Sequence, residues 1–285
     1  MSGIDPSLRI RSVTLAVSDL PRSIDFYERT LGLGPVTREN GTAVLGAGGS
    51  DPALVLSQIG DPTPLPPGAS GLFHVAWLHP SRAALADTLK RVAHAGWPLE
   101  GASDHGVSEA VYLSDPDGLG IEIYADRPRE QWARTPAGSV HMVTLPLDLE
   151  DLLAQAPGEP TAGIAPGTGV GHVHLKVADV PRASSFYDLD VGLQEQARLP
   201  SASFLGAGGY HHHIGLNSWQ SAGAPRAPDT APGLREVVFE LSGEQPLQEL
   251  GRRLRERGDE PEERDGGLLV RDPDGETLLF TTPGP

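Results

Sequence analysis

The chain has 285 residues and a formal net charge of −16 at neutral pH, which is enough length for one large or two ordinary domains with a buried core. The negative charge argues against binding to nucleic acid or to an anionic membrane surface, because like charges repel. The absence of cysteine excludes disulfides, thiolate metal sites and cysteine nucleophiles. With no signal-peptide run and no stretch able to span a bilayer, we expect a soluble cytoplasmic protein without a membrane partner.

The first predicted elements belong to a segment that occurs twice. Residues 13–22 read Val-Thr-Leu-Ala-Val-Ser-Asp-Leu-Pro-Arg, and residues 173–182 read Val-His-Leu-Lys-Val-Ala-Asp-Val-Pro-Arg. Phe-Tyr and then Gly-Leu follow each copy at the same spacing. The alternating apolar residues predict a half-buried strand, and Asp19 and Asp179 stand where a helix N-cap belongs. Each copy therefore predicts a strand followed by a helix.

A second repeated motif, Asp-Pro-Asp-Gly, occupies residues 115–118 and 272–275, and a short apolar strand follows it in both places. Proline fixes φ, and glycine supplies the positive φ of a tight turn before the strand. A strand and a helix are predicted before each turn, at 73–78 and 82–95 in the first half and at 237–241 and 247–257 in the second.

These elements form four units of a strand, a helix and further strands, which begin near residues 8, 71, 170 and 233. A single unit is too small to bury its own sheet and must pair with another. A βαβββ module used four times resembles the vicinal oxygen chelate superfamily, which includes glyoxalase I, bleomycin-resistance proteins and the type I extradiol dioxygenases. The resemblance covers nearly the whole chain. It implies an α+β fold in which paired modules form two curled sheets, each with a concave side, or cup.

In this family the metal ligands project into a cup from the first and last strands of the modules. At these positions module 2 has His74 and Glu122, and module 3 has His172. Two imidazoles and one carboxylate are the ligand set of non-haem Fe(II) oxygenases, and they leave coordination positions open. The equivalent positions elsewhere carry Ser12 in module 1 and Glu236 and Leu279 in module 4.

A single site formed by these three residues requires module 2 to pair with module 3, which leaves module 1 to pair with module 4. The best-known biphenyl-type extradiol enzymes instead place their ligands in modules 3 and 4. Along the chain we expect residues 8–126 to form a first vicinal oxygen chelate domain with modules 1 and 2. Residues 127–169 are then a connecting segment and linker, and residues 170–283 a second domain with modules 3 and 4.

The resemblance also implies an acid–base group. The run His211-His212-His213 lies in a segment that we predict to be an interior strand, with His211 and His213 on one face and His212 on the other. Extradiol dioxygenases carry a histidine pair here whose second member is the acid–base residue, which by position is His212. Histidine suits this role because its pKa lies near neutrality. Either of the other two histidines, or a fourth metal ligand from this run, is an alternative.

Further residues match the pocket of the family. Tyr112 corresponds to an active-site tyrosine that hydrogen-bonds the bound substrate, and His105 resembles a histidine near the oxygen pocket. His174 shares a strand face with His172, so we expect it to line the substrate pocket together with His211 and His213, and it is the best rival as a ligand. The remaining histidines, His79, His94 and His141, are predicted to be ordinary surface or loop residues.

The resemblance and the ligand set imply Fe(II)-dependent extradiol (meta) cleavage of a catechol by O₂, as in catechol 2,3-dioxygenase, with Mn(II) as an alternative metal. A glyoxalase-type isomerase or lyase is one competing hypothesis, which would favour Ni(II), Co(II) or Zn(II) and usually four protein ligands. A ligand-sequestering protein of the bleomycin-resistance kind is another, although such cups lack a metal triad. The identity of the catechol, the role of modules 1 and 4, and homo-oligomer formation are left open.

Overall fold

The computed structural model describes residues 3–39, 41–48, 53–136 and 138–284. Within them the four predicted modules each consist of one strand, one helix and three further strands. Module 1 contains β1 (Arg9–Val17), α1 (Leu20–Phe26), β2 (Gly34–Glu39), β3 (Thr42–Gly46) and β4 (Leu54–Gln58). Module 2 contains β5 (Gly71–His79), α2 (Arg82–His94), β6 (Gly101–Asp104), β7 (Ser108–Ser114) and β8 (Gly120–Asp126).

The second half of the chain repeats this order after a connecting segment with one 3₁₀ turn (Arg129–Gln131) and the short helix α3 (Leu149–Leu153). Module 3 contains β9 (Gly169–Lys176), α4 (Val180–Ser185), β10 (Gln194–Leu199), β11 (Ala202–Gly206) and β12 (Ile214–Asn217). Module 4 contains β13 (Gly233–Glu240), α5 (Glu244–Arg257), β14 (Glu262–Arg264), β15 (Gly267–Arg271) and β16 (Thr277–Thr281). Among the described residues, no helix combines the length and apolar content that a bilayer span requires.

The predicted helix starts are confirmed. The side chain of Asp19 accepts a hydrogen bond from the backbone N–H of Arg22, and Asp179 accepts one from Arg182, at 3.0 and 2.9 Å. Each cap satisfies a backbone donor that the first turn of the helix leaves without a partner. Helices α1 and α4 each continue as one π-helical turn, Tyr27–Leu31 and Phe186–Val191.

The Asp-Pro-Asp-Gly turns connect β7 to β8 and β15 to β16, and each also contacts the preceding module. Gly118 and Gly275 have φ values of 78° and 91°, as the sequence predicts. The tyrosine of each π-helical turn donates its hydroxyl proton to the first aspartate of the next module's turn, at 3.2 Å from Tyr27 to Asp115 and 2.9 Å from Tyr187 to Asp272. The same contact therefore ties module 1 to module 2 and module 3 to module 4.

The strands form two eight-stranded sheets, and each sheet draws strands from both halves of the chain. One, the 1–4 sheet, has the order β14-β15-β16-β13-β1-β4-β3-β2, and the other, the 2–3 sheet, has the order β10-β11-β12-β9-β5-β8-β7-β6. The central pairs β1–β13 and β5–β9 are antiparallel. The predicted pairing of module 2 with module 3 and of module 1 with module 4 is confirmed. The division of the chain at residues 126 and 170 stays a prediction.

The central strands of the 2–3 sheet have two different faces. Alternate residues such as Val75, Trp77 and Ile123 are fully buried and belong to the main hydrophobic core. The intervening positions point to the concave side, as strand side chains alternate. This side of the 2–3 sheet, the 2–3 cup, carries the predicted metal ligands His74, Glu122 and His172.

Candidate metal centre

The three predicted ligands come from three adjacent strands. In the register of the sheet, Ala76 on β5 lies opposite Glu122 on β8 on one side and opposite His172 on β9 on the other. His74 lies two residues before Ala76 and on the same face. Because Ala76 has only a methyl group, the longer side chains of Glu122 and His172 can approach each other above it.

The donor atoms of these residues are close to one another. His74 Nε2 lies 3.0 Å from Glu122 Oε2, His172 Nε2 lies 3.4 Å from the same oxygen, and the two Nε2 atoms are 3.4 Å apart. Ligands about 2.1 Å from one metal ion lie roughly 3.0 Å apart at right angles and roughly 3.4 Å apart at tetrahedral angles. In the described part of the chain, this is the one cluster of three or more such residues that could hold a metal ion.

The electrostatics suit a divalent cation. Burial raises the pKa of Glu122, but His172 and His74 lower it by more, so that it lies well below its ordinary value. Burial lowers the pKa of His172 to about 4 in spite of the neighbouring Glu122. Near neutral pH, Glu122 is therefore a carboxylate and His172 a neutral imidazole, which are the forms that bind metals. Two nitrogens and one oxygen fit a divalent ion that keeps open positions.

On the module 2 side of the cluster, Tyr112 lies directly opposite Glu122 in the β7–β8 pair. Its hydroxyl oxygen is 2.7 Å from His105 Nε2, and His105 Nδ1 is 2.8 Å from the carbonyl oxygen of Val143. Since a carbonyl only accepts, Nδ1 of a neutral His105 carries the proton, and Nε2 accepts from Tyr112. Burial, and then the charge of Glu122, raises the pKa of Tyr112, so its hydroxyl stays protonated.

On the module 3 side, Asp126, His211 and His212 form a hydrogen-bonded chain. Asp126 Oδ1 lies 2.9 Å from His211 Nε2, and His211 Nδ1 lies 2.8 Å from His212 Nδ1. The carboxylate accepts from His211 Nε2, so Nδ1 of a neutral His211 has no proton and accepts from His212 Nδ1. This assignment leaves His212 Nε2 with a free lone pair. The His212 ring lies over His172, with 4.0 Å between the ring centroids.

Tyr112 and His105 on one side and His211 and His212 on the other line one cavity of about 520 Å³ together with the metal cluster. Its floor is formed by the three candidate ligands. Its walls include apolar side chains from module 3, from β5 and from the connecting segment: Phe73, Met142, Val143, Leu199, Phe204 and Trp219.

Comparison with known proteins places this arrangement in a family. Residues 9–123 match the Glyoxalase/Bleomycin resistance protein/Dioxygenase superfamily. Over 276 residues the chain is 38% identical to the catechol-2,3-dioxygenase of Bacillus subtilis (strain 168), covering 96% of each protein. The chain belongs to this superfamily. The predicted resemblance to catechol 2,3-dioxygenase-like members is confirmed.

Solved structures show the same superfamily fold. A crystal structure of a proposed dioxygenase from Bacillus subtilis subsp. subtilis str. 168 has a TM-score of 0.67 at 16% identity, over 100% of this chain and 87% of that one. Glyoxalase I from Zea mays has a TM-score of 0.59 at 16% identity, over 97% of this chain and 92% of that one. At these identities the likeness concerns the fold alone.

The predicted strand through the three histidines is wrong. Strand β12 begins only at Ile214, and the run follows Gly208 and Gly209, whose φ values of 57° and 70° turn the backbone out of the extended form. Strand alternation therefore does not apply. His211 and His212 both line the cavity, whereas His213 Nδ1 accepts a hydrogen bond from the backbone N–H of Ala207 at 3.2 Å and is not among the cavity-lining residues.

Two other histidines are buried for different reasons. His174 lines the cavity but lies outside the three-residue cluster, and its Nε2 accepts from the side-chain amide of Asn217 at 3.1 Å. The prediction of a surface or loop position for His79 is wrong. This residue ends β5, is 2% exposed and bonds Thr88 Oγ1 through Nε2 at 2.9 Å.

The role of Asp126 as the partner of His211 was not predicted from the sequence. Asp126 follows Glu122 by four residues on β8, so both residues face the same side of the strand, and this spacing is the signal that could have identified it.

Proposed function

We propose that this superfamily member is an extradiol dioxygenase, which holds Fe(II) with His74, Glu122 and His172 and cleaves a catechol beside its diol with O₂. This proposal depends most on the buried cluster of two imidazoles and one carboxylate at the floor of an open cavity. The 38% identity to a catechol-2,3-dioxygenase supports the reaction type. When bound, the iron supplies open positions that orient catechol and O₂ together and allow electron density to pass between them.

In this proposal His212 is the acid–base residue. Its Nε2 lone pair accepts a proton from a catechol hydroxyl, and the protonated ring later returns that proton to an oxygen of the opening ring system. Burial, followed by the nearby His172 and His211, holds the pKa of His212 well below its ordinary value, so the ring is neutral before substrate binds and its lone pair is available. Asp126 and His211 fix the tautomer that leaves Nε2 free, as a buried carboxylate does in other acid–base chains.

Tyr112 has an orienting role in the proposal. Its protonated hydroxyl can donate to a substrate oxygen above Glu122 once it leaves His105 Nε2, its partner at 2.7 Å. Before substrate binds, His105, which is held by the carbonyl of Val143, accepts this proton and keeps the Tyr112 hydroxyl oxygen in place. We further propose that the enzyme acts in the cytoplasmic catabolism of aromatic compounds.

The test is anaerobic reconstitution with Fe(II), or with Mn(II) in a parallel sample, followed by addition of catechol and O₂. We expect a yellow ring-opened semialdehyde, one O₂ consumed for each catechol, and both atoms of ¹⁸O₂ in the product. If neither metal supports O₂ consumption with any catechol, the proposed function is wrong.

Metal-free protein from the same preparation distinguishes the proposed dioxygenase from the competing glyoxalase-type isomerase. A glyoxalase-type reaction usually needs four protein ligands, but the cluster in the described residues has three. We therefore expect no isomerisation of the hemithioacetal of methylglyoxal and glutathione after loading with Ni(II), Co(II) or Zn(II).

A further inference from the structure

We propose that the substrate is a neutral catechol with an apolar ring substituent, and that Leu199 and Trp219 contact this substituent. The inference rests on the proposed function and deepens it by naming the substrate class. It follows from the size of the cavity, the charges of its walls and the position of its apolar side chains.

The cavity is larger than its diol-binding floor requires. Its volume of about 520 Å³ is within the range of roughly 300–1,000 Å³ that is typical of pockets for drug-sized ligands. A bare catechol is a single ring with two hydroxyls and is much smaller than such a ligand. A substituent on the ring would fill the remaining space and displace water from it.

The walls of the cavity offer no cation for an acidic substituent. Among the described residues that line it, none is lysine or arginine, and Glu122 is the one acidic residue. His105 donates through Nδ1 to the carbonyl of Val143, and its Nε2 is an acceptor that offers no proton to a carboxylate. His174 Nε2 likewise accepts, from Asn217. A substrate carboxylate would therefore have no cationic partner on these walls, where the other polar groups include the hydroxyls of Ser103, Ser108 and Thr144. Burying a carboxylate without a cation is unfavourable.

An aromatic and aliphatic wall lies beside the metal cluster on the module 3 side. The rings of Phe73 and Trp219 meet edge to face with 5.4 Å between centroids, and His174 lies 5.8 Å from the rings of both Trp219 and Phe204. Such edges and faces favour contact with an apolar or aromatic group.

The mouth of the cavity contains two large apolar side chains that are half exposed. Leu199 is 53% exposed and Trp219 is 52% exposed, yet both line the cavity. A substituent that extends from the ring toward the mouth would cover them. Covering this apolar surface stabilises the complex of the substituted catechol over that of catechol itself.

The experiment compares pairs of substrates that differ only at the end of a two-carbon substituent. The pairs are 4-ethylcatechol with 3,4-dihydroxyphenylacetate, and 3-ethylcatechol with 2,3-dihydroxyphenylacetate, and each is measured against catechol. We expect kcat/KM of the better ethylcatechol to exceed that of catechol, and to exceed that of its acidic partner by roughly tenfold or more. Equal or higher kcat/KM for the acidic partner, or for unsubstituted catechol, would overturn the inference.

A variant at the mouth provides the second arm. Leu199→Arg adds a cation, so the preference for the ethylcatechol over its acidic partner should fall at least severalfold. The matched control Leu189→Arg changes an exposed leucine of module 3 that does not line the cavity, and should leave the preference unchanged. An unchanged preference in Leu199→Arg would contradict the assignment of this wall.

Failure of the proposed function has a different signature. If no catechol is cleaved, the reaction assignment fails, and calorimetric titration without O₂ still decides the substrate class. Tighter binding of the ethylcatechols than of the arylacetates supports the inference, and the reverse order overturns it.

Discussion

The two cups of this molecule have the same module fold but different side chains on their concave faces. In the 2–3 cup, His74, Glu122 and His172 converge within bonding distance of one point. At the equivalent positions of the 1–4 sheet the structure has Ser12, Leu279 and Glu236, and Glu236 forms an ion pair with Arg264. Glu122 is therefore buried beside two imidazoles in the 2–3 cup, whereas Glu236 in the 1–4 sheet is paired with the partly exposed Arg264.

Fold and function therefore depend on different positions of the same strands. The apolar residues that face the hydrophobic core are fully buried in both sheets, for example Val13 and Val237 in one and Val75 and Val173 in the other. These residues determine that the modules pair. A few polar residues on the opposite face determine which pair can bind a metal, and they can change without loss of the sheet.

The largest expected effect comes from exchanging the carboxylate of each cup for an amide. Glu122→Gln removes the one anionic ligand, so we expect loss of bound iron and a fall in activity of more than about 100-fold. Glu236→Gln is the matched change in the 1–4 sheet and should leave both unchanged. Metal analysis and catechol-dependent O₂ consumption measure the two effects. Equal losses in both variants would show that the cups do not differ as the structure indicates.

The next largest expected effect distinguishes a loss of acid–base catalysis from a loss of metal binding in the 2–3 cup. His212→Gln removes the proposed acid–base group but none of the three ligands, so turnover should fall about 100- to 10,000-fold while the iron content stays the same. His213→Gln is the control, because His213 is the neighbour in the same run and is not a cavity-lining residue. A greater loss of turnover in His213→Gln than in His212→Gln would contradict the assignment.

Much of the fold could be predicted from the sequence because it rests on repeated local patterns. The N-caps Asp19 and Asp179 and the glycines of the two Asp-Pro-Asp-Gly turns are specified by their own segments, and all four behave as predicted. The pairing of module 2 with module 3 could be predicted only on the assumption that His172 shares one metal site with His74 and Glu122 of module 2.

The hydrogen bonding around the metal cluster could not be predicted in the same way. The conformation of residues 211–213 depends on two preceding glycines with positive φ, which break the strand alternation that the prediction assumed. The chain from Asp126 through His211 to His212 joins residues that lie 85 positions apart in sequence, and it depends on side-chain rotamers. No local pattern reports such contacts.

A smaller effect concerns the close packing beside His172, whose ring centroid lies 5.0 Å from that of Tyr124. A Cβ added at Gly171 would lie 1.9 Å from the hydroxyl of Tyr124, whereas at Gly169, on the same strand, it would meet no atom within 4 Å. The position that corresponds to Gly171 in module 1 holds the exposed Arg11, so this constraint belongs to the 2–3 sheet.

We expect Gly171→Ala to lower the free energy of unfolding by about 1–3 kcal/mol, because overpacking forces Tyr124 or strand β9 to move. Gly169→Ala should change it by less than about 0.5 kcal/mol. Urea unfolding of both variants measures the difference. Similar stabilities for the two would mean that Tyr124 moves aside at little cost.

The smallest effect depends on pH and lies at the end of the 1–4 sheet. Glu276 follows the second Asp-Pro-Asp-Gly turn, where module 2 has the buried Leu119. Burial, and then the charge of Asp272, raises the pKa of Glu276 to about 7, although Arg226 bonds one of its oxygens at 3.2 Å. The protonated form is thus favoured in the folded state, and the stability it contributes is present below the ordinary pKa of 4.5 and is lost as the pH rises through about 7.

Glu276→Gln resembles the protonated form at every pH and should not show this loss. Its free energy of unfolding should equal that of the unmodified protein near the acid end of this window and exceed it by roughly 1 kcal/mol at pH 8, with about 3 kcal/mol as the upper limit set by the pKa difference. The exposed Glu262→Gln should give the same difference at both pH values. If Glu276→Gln is instead the less stable protein at pH 8, the ionised carboxylate stabilises the fold through Arg226, and the buried glutamate of the 1–4 sheet is held by an ion pair, as Glu236 is.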